Sequence, residues 1–506
     1  MTWNLFDRLL ASAASDQSIC IENDDGTTLS YAELAALSGR FANLLARLGV
    51  GPGHRVACKV EKSVEALALY LATLRAGAVY LPLNTAYTPA ESEYFIRDAQ
   101  PTLIVCDPKE RAALSAITDK TGGRIETLDQ NGKGSVVDAA STCPSEFETV
   151  ARAKDDLAAI LYTSGTTGRS KGAMLTHGNL VSNALTLVEQ WRYTSDDVLI
   201  HALPVYHIHG LFVAGNVTFA ARARMIFMQK FDAERILSAM ARATVLMGVP
   251  TFYVRLLQSP NLSRTSTAHM RLFVAGSAPL LAETHREWHD RTGHEILERY
   301  GMTETGMITS NPYEGPRVPG SVGRPLPGVE VRIADPETGA PLGVDEVGMI
   351  EVKGPNVFAG YWQMPEKTAA EFRADGFFIT GDLGKIGRDG TVQIVGRGKD
   401  LIISGGFNVY PKEIETEIDT IPGVAESAVV GVPHADFGEG VTAAVVRTPD
   451  ASVDERAILH ALSGRLAKFK QPKRVIFVDQ LPRNTMGKVQ KNLLRERFAD
   501  LYAVKA

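Results

Sequence analysis

The run Tyr162-Thr163-Ser164-Gly165-Thr166-Thr167-Gly168-Arg169-Ser170-Lys171-Gly172 follows an apolar stretch and packs hydroxyls, glycines and two cations into eleven positions. That make-up suits an anion. Glycines let backbone N–H groups approach anionic oxygens, hydroxyls add donors, and Arg169 and Lys171 supply charge-assisted contacts. The spacing is not G-x-x-x-x-G-K-[ST], which disfavours a P-loop nucleotide hydrolase. On composition alone, a plain Gly/Ser/Thr loop remains the alternative.

Six more segments with chemical potential follow in order: Pro204-Val205-Tyr206-His207-Ile208-His209-Gly210, Gly276-Ser277-Ala278-Pro279-Leu280, Arg299-Tyr300-Gly301-Met302-Thr303-Glu304-Thr305, Phe378-Ile379-Thr380-Gly381-Asp382, Gly396-Arg397-Gly398-Lys399-Asp400 and Pro482-Arg483-Asn484-Thr485-Met486-Gly487-Lys488. Taken together with the first, they resemble the motifs of the adenylate-forming superfamily, which includes acyl-CoA synthetases, nonribosomal adenylation domains and luciferases. The resemblance implies a nucleotide site made by Thr163, Ser164, Gly165, Thr166, Thr167, Gly168, Lys171, Gly276, Ser277, Ala278, Pro279, Glu298, Arg299, Tyr300, Gly301, Met302 and Thr303, with Asp382 toward the ribose and Arg397 toward the ribose or a phosphate. It implies Glu304, with Thr166, as the magnesium contact, Thr303 on the α-phosphate, and His207 beside the acyl carbonyl. Lys488 would bridge the substrate carboxylate and the α-phosphate as charge moves. Isolated from these frames, Glu304 and Lys488 would read as solvated surface charges, Asp382 as a turn aspartate and His207 as a core histidine.

The same resemblance implies a second half-reaction after a swing of the C-terminal part about Lys399. The swing presents Ser404, Gly405, Gly406 and Phe407 to coenzyme A, the paired glycines allowing close approach of a narrow chain. Over nearly its full length the chain is similar to bacterial malonyl-CoA synthetases, including Pro-Leu-Leu-Ala-Glu-Thr-His-Arg-Glu-Trp around Arg286. There the matching arginine binds the second carboxylate of a diacid, with His209, Ser277 and Met302 at the same pocket. From spacing alone Arg286 falls on a helix surface, and His209 divides evenly between pocket and core. Gly306, Met307 and Ile308 give the pocket an apolar wall that could admit a methyl branch, so methylmalonate stands beside malonate. The competing functions are a ligase for another short acid, a stand-alone carrier-protein-loading adenylation enzyme, a luciferase-like oxygenase and a non-enzymatic nucleotide-binding protein.

The elements that must hold these residues alternate. Ser30-Tyr31-Ala32-Glu33 is a capping box, and Leu34, Leu37, Phe41, Leu44, Leu45 and Leu48 follow at helical spacing. A strand-like run Arg55–Val60, a helix Ser63–Ala76 and a strand Val79–Leu83 come next, and the rhythm continues through Leu103–Cys106, Leu157–Tyr162, Val198–Ala202, Met225–Met228, Val245–Val249 and Leu272–Val274. Gln130–Asp155 reads as a polar surface connection. Between 316 and 396 short strands with Gly/Pro turns predict a barrel-like or meander subdomain. The expected organisation is an α/β N-terminal AMP-binding domain of layered sheets over 1–398, containing that subdomain, and a small mobile α+β C-terminal domain over 399–506.

At 506 residues and 45% hydrophobic content the chain exceeds what one core organises. A net charge of −5 without a Lys/Arg block bearing aromatics argues against nucleic acid, and no run approaches a membrane span. Cys20, Cys58, Cys106 and Cys143 lack metal-like spacing and read as structural thiols. The expected partners are ATP, Mg2+, coenzyme A and a dicarboxylic acid in the cytoplasm. A lysine acetyltransferase and deacetylase acting on Lys488 are also expected, because acetylation removes the charge that adenylation needs.

Overall fold

The computed structural model describes residues 2–10, 12–163, 170–278, 280–404, 407–434, 437–466, 468–484 and 487–503, and only the backbone of Asn408. Two large sheets occupy the first 325 positions. One has six strands, in the order Arg124–Thr127, Leu103–Cys106, Arg55–Lys59, Val79–Pro82, Leu157–Thr163 and Lys171–Thr176. All its pairings are parallel except the last, a hairpin. The other has nine strands and is parallel through its centre, where Ile296–Met302, Leu272–Ala275, Val245–Gly248, Val198–His201 and Arg224–Phe227 lie side by side. These central strands are short and almost wholly buried, as parallel strands covered on both faces must be.

Helices cover those faces. Ser30 caps Tyr31–Arg47 through a reciprocal bond with Glu33, and Ser63 caps Val64–Arg75, whose residues are almost all buried. A helix buried all round packs between layers rather than on an outer face. The segment read as a polar connection contains a short helix, Ser135–Ser141, which buries Val136 and Ala140. Two apolar residues four positions apart are enough to dock one helical turn, but too few to stand out in a small-residue sequence. All four cysteines are free and buried, and burial pushes the thiols of Cys20, Cys58 and Cys106 up to about 12.

After the nine-stranded sheet comes an antiparallel meander of Glu330–Ala334, Gly348–Lys353, Phe378–Ile386 and Val392–Arg397. Its last strand exchanges backbone bonds with Val322 and Gly323, so the meander curls back onto the large sheet. The segment predicted to be barrel-like or a meander is thus an open, curled meander. Its apolar face packs on Tyr300 and Ile308. Beyond Arg397, a five-stranded sheet with helices Pro411–Asp419 and Glu455–Ser463 builds a core of its own around Ile414, Ile418, Val429 and Ile458. No helix among the described residues is long and apolar enough to cross a membrane.

Candidate active site

The hairpin of the six-stranded sheet sets Thr163 opposite Lys171, so the glycine-rich loop is the connection that leaves one strand and re-enters the next. Within that loop Ser164, Gly165, Thr166, Thr167, Gly168 and Arg169 lie outside the described residues, as do Pro279, Gly405, Gly406, Thr485 and Met486 of other predicted segments. The Thr163 hydroxyl donates to the Lys171 carbonyl at 3.5 Å. Facing this hairpin is the turn Thr303–Thr305, which joins Ile296–Met302 to Gly306–Ser310. Asn183 and Asn356 fix it: the Asn183 amide exchanges bonds with both backbone groups of Met307, and the Asn356 amide donates to the carbonyls of Thr305 and Met307. Gly306 is in the left-handed region at φ +58°, and a Cβ there would meet Asn183 at 2.7 Å. Glu304, 5% exposed, receives the Tyr361 hydroxyl at 3.1 Å, and burial raises its carboxyl above the ordinary range.

A second cluster forms where the meander meets the large sheet. Asp382 accepts from the Arg397 Nε at 2.8 Å and from the Tyr300 hydroxyl at 2.5 Å. Each carboxylate oxygen keeps a lone pair for another donor, so the group can still accept from a diol. Gly381 before it has φ +75°. Lys488 reaches the same place from the C-terminal sheet region. The residue is exposed, but the protein packed about it and the Arg397 charge hold its ammonium below the usual lysine value, against the pull of Asp382 and Glu304. The neighbouring Glu298 is buried, and burial lifts its carboxyl to about 8, so it carries a proton at neutral pH.

The third cluster holds an unpaired charge. Arg299 is 3% exposed, and its Nε and Nη2 have no hydrogen-bond partner among the described residues. Burial lowers it to about 9, which still leaves it charged at pH 7. It lies against Gly276, where a Cβ would fall 2.3 Å from Nη1, so a larger residue there would displace the guanidinium from this position. His209 is equally buried; its Nδ1 meets the Ser277 hydroxyl at 3.3 Å and its Nε2 has no partner among the described residues. Ser277 holds φ +73°, unusual for a residue with a side chain and a mark of local strain. His207 stands between Arg299 and Lys488. Burial and these two cations drive its imidazole down to about 3, so it is neutral. Burying a guanidinium with two unsatisfied N–H groups is costly, and an anionic ligand offering two oxygens would satisfy both.

Gly276, Ser277, Ala278, Arg299, Tyr300, Gly301, Met302, Thr303, Glu304, His207, His209, Asp382, Arg397 and Lys488 lie in these three clusters or in the segments that carry them, as does the buried Glu298. Arg286 does not. Its helix, Ala282–Thr292, buries Thr284, His285, Trp288 and Thr292 on one face. Helical periodicity turns Arg286 to the opposite, exposed face, away from Arg299 and His209. The reading from spacing alone, a surface arginine, agrees with this placement. Lys399 lies in the short helical turn Gly398–Asp400, exposed, beside an Asp400–Arg495 ion pair of 2.6 Å. Ser404 is buried at a strand end, and Phe407, paired across from it, is exposed and stacks on Phe469 at 4.7 Å. Two residues that the sequence reading passed over, Tyr361 and Glu371, touch Glu304 and Lys171. Neither carries a local motif signal.

Several known proteins are similar to this chain. The ATP-bound structure of MatB from Rhodopseudomonas palustris is 66% identical over 99% of this chain and 100% of that one, with a TM-score of 0.98. The apo structure of MatB from the same organism, equally identical, gives 0.87, so this chain is nearer in shape to the ATP-bound one. The malonate–CoA ligase of Arabidopsis thaliana is 35% identical, over 93% of this chain and 85% of that protein. A feruloyl-CoA synthase of Amycolatopsis is 36% identical over 94% of both. Residues 10–362 match the AMP-binding enzyme family and residues 413–488 its C-terminal domain, and the chain accordingly belongs to the AMP-binding enzyme family.

Proposed function

We propose that this enzyme is an ATP-dependent, AMP-forming acid–thiol ligase that converts malonate, and methylmalonate beside it, to the coenzyme A thioester. The observation that carries the choice of acid is the buried fork of Arg299 with the Nε2 of His209, which find no partner among the described residues. Nε and Nη2 form one edge of a guanidinium and match the two oxygens of a carboxylate. Relatives that act on malonate and on ferulate stand at similar identity, so identity of that order does not choose the acid. The buried cation does, since beside an aromatic or fatty tail it would stay unpaired. Met302 and Met307 supply apolar surface for a methyl branch, whereas Ile308, on the opposite face of the same strand, packs under the meander instead. A methyl branch is worth only about 1–3 kcal/mol, so both diacids are used.

In the first half-reaction a carboxylate oxygen of the acid attacks the α-phosphorus of ATP and diphosphate leaves. Lys488 holds the attacking carboxylate and the α-phosphate together, Thr303 donates to that phosphate, and Asp382 with Arg397 holds the ribose. Thr163, Lys171 and the loop Ser164–Gly168 take the outer phosphates. Gly276, Ser277, Ala278 and Pro279 flank the base with Glu298, Tyr300 and Gly301. Among the described residues no three His, Cys, Asp or Glu side chains gather as a metal cage. Magnesium suits this donor set, since it takes few protein carboxylates and keeps phosphate oxygens and water. Glu304 would hold it, with Thr166. Bound there, magnesium supplies positive charge against the phosphates.

In the second half-reaction the coenzyme A thiolate attacks the acyl carbonyl and AMP leaves. The 399–506 domain swings about Lys399 on the 1–398 domain, withdrawing Lys488 and bringing Ser404, Gly405, Gly406 and Phe407 to the cleft, with neutral His207 gating the thiol. Acetylation of Lys488 by a lysine acetyltransferase, reversed by a deacetylase, would remove its charge and stop the first half-reaction. The exposed surface of Lys488 supports access to it. A cytoplasmic location accompanies this reading.

The test is product mass. Purified protein with MgATP and CoA is offered malonate, methylmalonate, succinate, acetate and octanoate. The expected thioesters are those of malonate and methylmalonate, with AMP formed in equal amount. Preference for acetate or octanoate would keep the ligase and remove the diacid.

A further inference from the structure

The segment Asn356–Trp362 runs between the two parts of the site that handle phosphate. On one side it pairs with the strand that leaves the glycine-rich loop, since Met174 N–H donates to the Gly360 carbonyl and Trp362 N–H to the Gly172 carbonyl. On the other side Phe358 N–H donates to the carbonyl of Glu304. Tyr361 sits in the middle. Its hydroxyl lies 3.1 Å from a Glu304 oxygen and 2.7 Å from Oε2 of Glu371, and its ring underlies the Lys171 ammonium at 4.0 Å. Oε1 of Glu371 accepts from Lys171 at 3.0 Å and is also paired with Lys367 at 2.9 Å.

Three features make this more than a surface ion pair. Lys171 and Glu371 are each about one-fifth exposed, so the bond between them is sheltered from screening. A lysine ammonium has three N–H donors, and among the described residues Glu371 takes only one, leaving two for a ligand. Tyr361 has one hydroxyl proton and two carboxylates within reach, so a cation that engages Glu304 leaves that proton to Glu371.

We propose that Glu371 and Tyr361 are positioning residues for MgATP. Glu371 anchors Lys171 by a charge-assisted bond, the Tyr361 ring supports the ammonium from below, and the Tyr361 hydroxyl ties that anchor to the Glu304 turn. The lysine on the phosphate hairpin and the carboxylate on the opposite turn are thereby set at a fixed separation before the triphosphate arrives. This rests on the reading of the cleft as an ATP site.

The experiment is calorimetric binding of MgATP to the full-length wild type, Glu371→Gln, Glu371→Asp and Tyr361→Phe, with steady-state kinetics alongside. Glu371→Gln keeps the shape and removes the charge. It should weaken MgATP about tenfold, the usual scale for losing a hydrogen bond to a charged group, and raise KM for ATP to match. The kcat and the KM values for acid and CoA should hold. Glu371→Asp should restore part of the loss, and Tyr361→Phe should raise the magnesium concentration needed for half-maximal ATP binding. Unchanged or tighter MgATP binding in Glu371→Gln would overturn the proposal, as would a uniform fall in every kinetic constant together with Tm. Wild type that binds MgATP but forms no thioester would count against the ligase reading alone, because the binding comparison would still stand.

Discussion

Lys488→Ala is expected to slow acyl-adenylate formation, read as ATP–diphosphate exchange, by about 10²–10³. Thioester formation from supplied malonyl-adenylate and CoA should stay within about threefold, because the lost contact serves only the first transition state. The physical ground is where the ammonium stands. It shares the cleft with Glu304 and Asp382, while packing and the Arg397 charge disfavour its charged form. A cation held in such a place has most to gain from the negative charge that accumulates on the α-phosphate. Lys488→Arg keeps the charge but replaces a compact ammonium by a planar fork, so it should recover only part of the rate. Equal losses in both half-reactions would place Lys488 outside the adenylation step.

Arg299→Gln is expected to lower kcat/KM for malonate by about 10²–10³, the scale of removing one member of a buried charge pair. Acetate, which has no second carboxylate, should be unaffected or slightly improved. Stability should move the other way. In the free enzyme the guanidinium is buried with two N–H groups unsatisfied by any described residue, so its removal relieves a desolvation cost, and Tm without ligand should rise or hold. Malonate should then stabilise the wild type and not the variant, because only the wild type has the matching charge. A variant that loses Tm and all activity together would make Arg299 a structural residue.

Most of this architecture could be read from the chain, because its signals are contiguous. The Ser30–Glu33 box, the Ser63 cap and the short apolar strands each carry their own evidence within a few residues, and the structure has them within a residue or two. The motifs are legible for the same reason. What the sequence hides is pairing at a distance. Lys171 and Glu371 meet across 200 positions, and Glu371 sits in an ordinary Pro-Glu-Lys-Thr-Ala-Ala-Glu run. Arg286 and Arg299 show the same limit. Both stand in family-like segments, but the helix of Arg286 alternates buried and exposed faces, whereas Ile296–Tyr300 is buried at every position. A strand covered on both faces has no period to show which side chain enters a pocket. The orphaned guanidinium is visible only in three dimensions.

The central claim is that a buried cation selects the second carboxylate, and one comparison reaches it without mutation: ATP–diphosphate exchange by the wild type with malonate and with its monomethyl ester. The ester keeps the reacting carboxylate and nearly the size of the diacid but cannot form an ion pair at Arg299. The account predicts that the ester supports exchange with a kcat/KM lower by about 10³. An ester that exchanges as well as malonate would contradict it, and Arg299 would then have no part in choosing the acid.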